Sequence, residues 1–434
     1  MPAGDRRWLL RLVIAFAFSQ AAVSMARPAV SYRALALGAD ERAVGVIAGV
    51  YALLPLFAAV PLGRRTDRGR CVPLLAVGAA LIGVGCGLSG TAGSLAALAG
   101  WSGVMGLGHL CFVIGAQSIV ARRSAPADQD RNFGHFTIGA SLGQLVGPVA
   151  AGLLVSGQDG AMGRTSALAL VVSAGVAAVS LVWLRRLEPP LTPLAPNASR
   201  GKVKRSWEAR RAKSGKVSVR RILRSRGVPS GILVSLAVLS ATDILTAYLP
   251  VIGEDRGISP ATIGVLLSLR AAAAIACRLV MTPMIQRVGR TALLTASCLL
   301  GGLLCAGIAL PVPVWGLALM LVALGFCLGV GQPLSMTTVV RAAPAEARST
   351  ALALRLTGNR LGQVAAPASA GLVAGVAGTG APFMMLGVLL LGAAGLGVRS
   401  TPRDAAPAAP APTPARPKAP EEPPVPADEG RHRR

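Results

Sequence analysis

The sequence predicts an all-α integral membrane protein, with twelve transmembrane helices in two six-helix bundles related by a parallel internal repeat. Three observations predict it. Long stretches carry no charge, the basic residues gather at alternate connectors, and the chain matches itself at an offset of 219 residues.

Composition sets the class first. Of 434 residues, 53% are hydrophobic and 14% charged, against about 25% charged in a soluble domain. That excludes an ordinary soluble domain and a wholly disordered chain. The 52 Gly and 31 Pro follow no G-X-Y period, which excludes collagen. A net charge of +26 could point to nucleic acid, but the charges sit in short clusters between uncharged runs. Cys71 to Ala121 is 51 residues without Asp, Glu, Lys or Arg, and Thr291 to Val340 is another 50. A spanning helix takes about 20 apolar residues, so each run holds two helices and a turn.

The apolar segments place helices over 9–29, 43–62, 72–89, 94–121, 134–156, 165–184, 228–250, 261–281, 291–310, 314–340, 350–375 and 380–398. Ser89-Gly-Thr-Ala-Gly-Ser94 and Pro311-Val-Pro313 are turn signals that split the two long runs. The first segment is not a signal peptide, because it is too long, contains Arg27 and precedes no small-residue cleavage site.

Basic residues set the orientation. With the N-terminus inside, the inner pieces hold 35 Lys and Arg, and the outer loops hold four: Arg33, Arg42, Arg164 and Arg256. Both termini are therefore expected in the cytoplasm. Trp8, Trp101, Trp183 and Trp315 fall near predicted helix ends, as interfacial aromatics do. The 39 Arg against 5 Lys point to a GC-rich bacterial genome, and hence to the inner membrane.

The expected domains are an N-terminal bundle over 1–186, a basic cytoplasmic linker over 187–227, a C-terminal bundle over 228–398 and a disordered Pro/Ala-rich tail over 399–434. The linker, with Lys202-Val-Lys204-Arg205, suits anionic lipid headgroups. The seven Cys residues lie in or beside apolar runs with no metal spacing, and read as small packing residues.

At an offset of 219, Gly38, Gly45 and Val46 meet Gly257, Gly264 and Val265, and Gly106 meets Gly325. Gly139, Leu142, Gly143 and Gln144 meet Gly358, Leu361, Gly362 and Gln363, and Pro148 and Gly152 meet Pro367 and Gly371. Parallel repeats about an axis along the membrane normal are a transporter architecture, with the site between the halves.

The connector after the second segment reads Gly63-Arg-Arg-Thr-Asp67-Arg68-Gly69-Arg70. It resembles the loop motif of the major facilitator superfamily, G-x-x-x-D-R-x-G-R, less one residue between Arg68 and Gly69. The second-half copy, Arg287-Val-Gly289-Arg290, keeps that spacing but has Gln286 where the Asp would be. The resemblance implies that Asp67 makes a charge contact that helps lock the outward-open state. The fifth segment carries Gly134, Gly143, Gly147, Pro148 and Gly152, similar to the family's antiporter signature. The eleventh carries a weaker copy in Gly362, Pro367 and Gly371. Small residues let helices approach closely whichever way transport runs. The fourth segment departs from the family, with Ser102 where the antiporter pattern has an Arg before Gly106-Leu-Gly108.

The resemblance covers roughly residues 9–398. It implies alternating access by two rocking bundles, with the first, fourth, seventh and tenth helices around a cavity and the second, fifth, eighth and eleventh at the bundle interface. The implied partners are a small-molecule substrate, protons and the lipid bilayer, with no nucleic acid, and the chain is expected to act as a monomer. No Walker A, Ser/His/Asp or paired-carboxylate constellation occurs, so neither an enzyme nor a cofactor or metal site is implied. Gly85-Cys-Gly87-Leu-Ser-Gly90 fits GxGxxG but lies within a membrane segment.

Ionisable residues inside a membrane are functional candidates. Here they are Arg27, Asp243, Arg270, Arg355, Arg360 and His109. Asp243 is the single acid in a predicted span and, by the repeat, lies three positions from Arg27 on the equivalent helix. Burial and a neighbouring arginine pull a carboxyl's proton affinity in opposite directions. A conformational change that parts Asp243 from Arg27 would then load and release a proton; the alternative is a permanent structural ion pair. Arg270 or Arg360 suits an anionic substrate group, Arg355 lies near enough to the inner face to snorkel, and His109 is either a titrating group or hydrogen-bonded packing. The first functional expectation is proton-coupled export of a small, moderately lipophilic compound. The alternatives are uptake or exchange of a small organic anion, and a transporter-like sensor or scaffold.

Overall fold

The computed structural model describes residues 7–68, 71–124, 129–158, 160–184, 187, 219–225, 227–343 and 348–400. The described helices belong to one compact unit, Met1–Ser400. Twelve long helices form: α1 (Arg7–Ala36), α2 (Glu41–Arg68), α3 (Val72–Thr91), α4 (Leu95–Arg123), α5 (Gln129–Leu154), α6 (Met162–Leu184), α7 (Val228–Asp255), α8 (Pro260–Val288), α9 (Arg290–Ala309), α10 (Val314–Ala342), α11 (Arg348–Ala377) and α12 (Ala381–Ser400). One turn of helix, Val219–Leu223, precedes α7, and its buried Ile222 packs with Val228, Val339 and Ala351. Most of the linker, 188–218, and the tail from 401 lie outside the described residues.

Ten of these helices are long and apolar enough to cross a membrane, and the Ala381–Leu396 part of α12 is a shorter apolar helix. α11 is not among the ten. It carries Arg348, Arg355, Asn359, Arg360 and Gln363, and packs against α2 and α7.

Several helices outrun their apolar stretches. α1 continues through Arg27, Pro28 and Arg33 to Ala36, and α2 continues through Gly63 and Asp67 to Arg68. The loop expected at Gly63 is therefore still helix. Hydropathy marks where hydrocarbon ends, and a helix can carry charge beyond that line. Gly69 and Arg70 lie outside the described residues, and the structure describes no side chains for Asp67 and Arg68.

The repeat is visible in packing. α1 lies on α5 and α6, as α7 lies on α11 and α12; α3 lies on α4 and α6, as α9 lies on α10 and α12. Phe16 of α1 stacks on Phe136 of α5 at 4.2 Å. The turns repeat too. Gly38 and Gly257 both take positive φ, +78° and +63°, a conformation glycine adopts without strain. Asp40 Oδ1 accepts the Ala43 amide at 2.8 Å, and the equivalent Ser259 Oγ accepts the Thr262 amide at 3.2 Å. Both cap the helix that follows.

The halves meet along two equivalent seams, α2 with α11 and α5 with α8, the four helices the family resemblance placed there. A Cβ on Gly45 would strike the Pro367 carbonyl oxygen, and one on Gly264 would strike the Pro148 carbonyl oxygen. Gly371 and Gly152 complete these crossings. Gly143 and Gly147 instead let α5 approach α1, and Gly362 faces Leu236 of α7. Gly134 lies near the start of α5.

We call the end bearing the α1–α2 and α7–α8 turns the far face. Three of its four arginines are bound to carbonyl oxygens. Arg33 donates to Gly163 and Ala92, Arg256 to Ile308 and Ala309, and Arg42 to Gly375 of the opposite half. Their presence against the basic bias is thus explained by structural hydrogen bonds. All seven cysteines are buried, and none forms a disulfide with another.

Candidate functional site

α1 presents Gln20, Ser24, Arg27 and Ser31 at intervals of three and four residues, a polar stripe on an otherwise apolar helix. α11 presents Arg355, Asn359 and Gln363 in the same manner. These stripes, less Arg355, build one polar centre with Tyr51 of α2, His109 of α4, Asp243 of α7 and Arg270 of α8.

Asp243 is the hub. Its Oδ1 accepts from Arg27 Nη1 at 2.8 Å, across the junction of the halves; the side chains are 5% and 18% exposed respectively. Its Oδ2 accepts from Gln363 Nε2 at 3.1 Å, while Gln363 Oε1 accepts from Arg360 Nη1 at 2.9 Å. The guanidinium can only donate and the carboxylate only accepts, so the Gln363 amide is fixed in orientation. Arg360 thereby acts on Asp243 through Gln363.

Arg27 also lies over the Tyr51 ring, 5.0 Å from its centroid. The Tyr51 hydroxyl meets His109 Nδ1 at 2.7 Å, and His109 Nε2 meets Gln20 Oε1 at 3.1 Å. Gln20 Nε2 donates to Ser24 Oγ at 3.3 Å. Beside Arg27, on its far-face side, is a cavity of about 20 Å³ that Ser31, Tyr51, Ser102 and Met105 also line. It has room for about one water.

Arg270 stands apart. Its backbone carbonyl packs on Gly325, as the Tyr51 carbonyl packs on Gly106, so the repeat puts a tyrosine and an arginine at equivalent places. Its Nε is buried without a hydrogen-bond partner, as is Asn359 Oδ1. The charges of Arg27, Asp243 and Arg278 all bear on it. Of the three central arginines, Arg27 binds the Asp243 carboxylate directly, Arg360 reaches it through Gln363, and Arg270 makes no bond to it.

The structure brings together five of the six intramembrane candidates. Arg355 is the exception and corrects an expectation. It does not snorkel but is buried, donating to the Gln332 carbonyl oxygen and Oε1, at 3.2 and 2.7 Å, and to Ser335 Oγ at 3.3 Å. Acceptors on α10 outcompete the route to water. Arg287 and Arg290 flank Gly289, which breaks α8 from α9 at φ +83° and ψ 154°.

Sequence reasoning missed Gln20, the role of Gln363, and Arg278 of α8. The polar stripes at helical spacing were the available signal for the two glutamines. Arg278 needed only a complete census of the charges inside the eighth span.

The family model of the Major Facilitator Superfamily matches residues 12–256 and 231–428. The chain belongs to that superfamily and is a multi-pass membrane transporter. A search of curated proteins finds no significant match. Among solved structures, the nucleoside transporter NupG aligns with a TM-score of 0.71 at 15% identity, over 91% of this chain and 98% of that one. A POT family transporter in complex with a thioalcohol-conjugated peptide aligns at 0.69 and 16%, over 90% and 95%. A bacterial homologue of the human lysosomal transporter Spinster, inward-facing and occupied, aligns at 0.68 and 15%, over 90% and 96%. At these identities the likeness is one of fold.

Proposed function

We propose that this chain moves a small organic anion by alternating access, and that Asp243 takes up and releases the coupling proton. The observation that carries the reading is the count of charges at the centre: Arg27 binds the one carboxylate, Arg360 reaches it only through Gln363, and Arg270 is buried with no bond to it. An arginine at a helix centre costs about 2.5–3.5 kcal/mol on insertion scales. Three of them against one acid leave a site that an anion completes, and the partnerless Arg270 Nε is the free donor.

Asp243 links the coupling to movement. Protonation removes the charge that Arg27 binds across the halves, so the bundles part more easily and Arg27 is released to the substrate. In this reading the termini lie on the cytoplasmic side of a bacterial plasma membrane, an orientation the basic connectors support. One chain supplies every group of the site and acts as a monomer.

A thermal-shift screen of the purified protein in detergent tests this, because a ligand of the folded state raises the melting temperature. Stabilisation by small carboxylates, lost in Arg270→Gln, is expected. Stabilisation by lipophilic cations and drugs, lost in Asp243→Asn, would instead favour export of a lipophilic compound. The glycine and proline series of α5 favours that second reading. In liposomes, transport of the identified ligand should follow an imposed pH gradient, and Asp243→Asn should uncouple it.

A further inference from the structure

We propose that His109 is a positioning residue. It sits as the Nε2–H tautomer, accepts the Tyr51 hydroxyl on Nδ1, and so holds the Tyr51 ring against the Arg27 guanidinium. The inference goes beyond the transport reading and is independent of the substrate class.

The chain Ser24, Gln20, His109, Tyr51 joins α1, α4 and α2 by three contacts of 3.3, 3.1 and 2.7 Å. Gln20, Ser24 and Tyr51 are buried, at 7%, 9% and 8% exposed, and His109 is half-buried between them. An amide can be turned over, so two proton arrangements satisfy the two inner contacts. In the first, Gln20 Nε2 donates to Ser24, His109 Nε2 donates to Gln20 Oε1, and Tyr51 donates to His109 Nδ1. In the second, every donor reverses, and His109 Nδ1 donates to the Tyr51 oxygen. The phenolic hydrogen then has no acceptor among the described residues. Leaving a buried donor unmade is the costlier choice, so the first arrangement wins.

The same arrangement serves Arg27. A phenol that donates its hydrogen gains electron density on its oxygen and ring, and a richer ring face holds a cation better. Arg27 is gripped on one side by that face, at 5.0 Å, and on another by Asp243. His109 does not touch Asp243; it acts through Tyr51 and Arg27.

The chain has three histidines, His109, His135 and His432, so ¹⁵N-histidine NMR of the full-length protein in detergent is readable. His109→Gln identifies the resonances. The expected pattern is a protonated Nε2 and a hydrogen-bonded, unprotonated Nδ1. Tyr51→Phe should move Nδ1 to its unbonded position and leave Nε2 in place. A proton on Nδ1, or no response to Tyr51→Phe, overturns the proposal. Thermal unfolding supplies a second readout. The Tm losses of His109→Leu and Arg27→Gln should fail to add, whereas His109→Gln, which can accept and donate in the same sense, should preserve the coupling. Additive losses overturn the positioning role. A failed anion screen with the expected NMR pattern would defeat the substrate reading and leave this one standing.

Discussion

Arg27 of α1 and Asp243 of α7 meet at 2.8 Å across the junction of the two halves, three positions apart once the 219-residue offset is removed. The framework is symmetric and the chemistry is not: the place of Asp243 in the first half is filled by Ser24. The partners should respond unequally to truncation. Arg27→Gln leaves a nearly buried carboxylate without its opposite charge, a loss of about 3–5 kcal/mol. Asp243→Asn leaves an arginine that is 18% exposed and can turn toward solvent, so its loss is smaller. The double variant should recover part of the larger loss. Thermal unfolding of all three in detergent checks this, and simple additivity would mean the pair contributes nothing as a pair.

The seam glycines are a steric test of which state the fold adopts. A Cβ on Gly45 has no room beside the Pro367 carbonyl oxygen, and one on Gly371 would lie 3.0 Å from the Arg42 carbonyl oxygen. Gly45→Ala should destabilise this arrangement by about 1–3 kcal/mol through overpacking. Because both contacts join opposite halves at the far face, the strain is relieved when α2 and α11 part there. Spin labels on the α1–α2 and α11–α12 turns should then report a longer distance than in the unsubstituted chain. An unchanged distance distribution would show that the seam yields in place.

Much of this was legible in the sequence, and the reason is the solvent. Hydrocarbon demands long uncharged runs, so the segment expected at 72–89 is found at Val72–Thr91 and that at 314–340 at Val314–Ala342. The repeat register even placed Arg27 near Asp243. Other features depend on partners no single helix reveals. Arg355 looked able to reach water, but Gln332 and Ser335 on another helix hold it inside. The Tyr51, His109 and Gln20 chain draws one residue from each of three helices, and only their packing joins them.

Tyr248 gives a milder test of the far-face closure. Its side chain is fully buried and its hydroxyl donates to the Glu41 carbonyl oxygen at 2.9 Å, from α7 to the start of α2. The repeat equivalent is Ala29, so the other seam has no such bond. Tyr248→Phe keeps the ring and removes the donor, a loss of about 1 kcal/mol. If that loss falls on the closed far face alone, the balance between states moves by about fivefold. The same spin-label pair should show the open population rise by that factor, without the clash that Gly45→Ala introduces. A fall in Tm with no change in populations would make the bond a general support rather than a latch.

The arginines divide into two kinds, and substitution should separate them by sign. Arg33 donates to Ala92 at 2.8 Å and to Gly163 at 2.9 Å, tying α1 to the α3–α4 turn and to α6. Arg33→Gln breaks charge-assisted bonds and should cost about 1.5–3 kcal/mol. Arg270 makes no comparable bond, and its buried Nε has no partner. Its placement in a membrane span is itself unfavourable. Arg270→Gln should therefore leave the melting temperature unchanged or raise it. A residue kept at a net cost to stability is kept for something outside the resting fold. The same variant should lose the stabilisation that small carboxylates give the parent protein. Should Arg270→Gln instead unfold the protein as readily as Arg33→Gln does, Arg270 is a structural group, and the anion must be sought at Arg27 and Arg360.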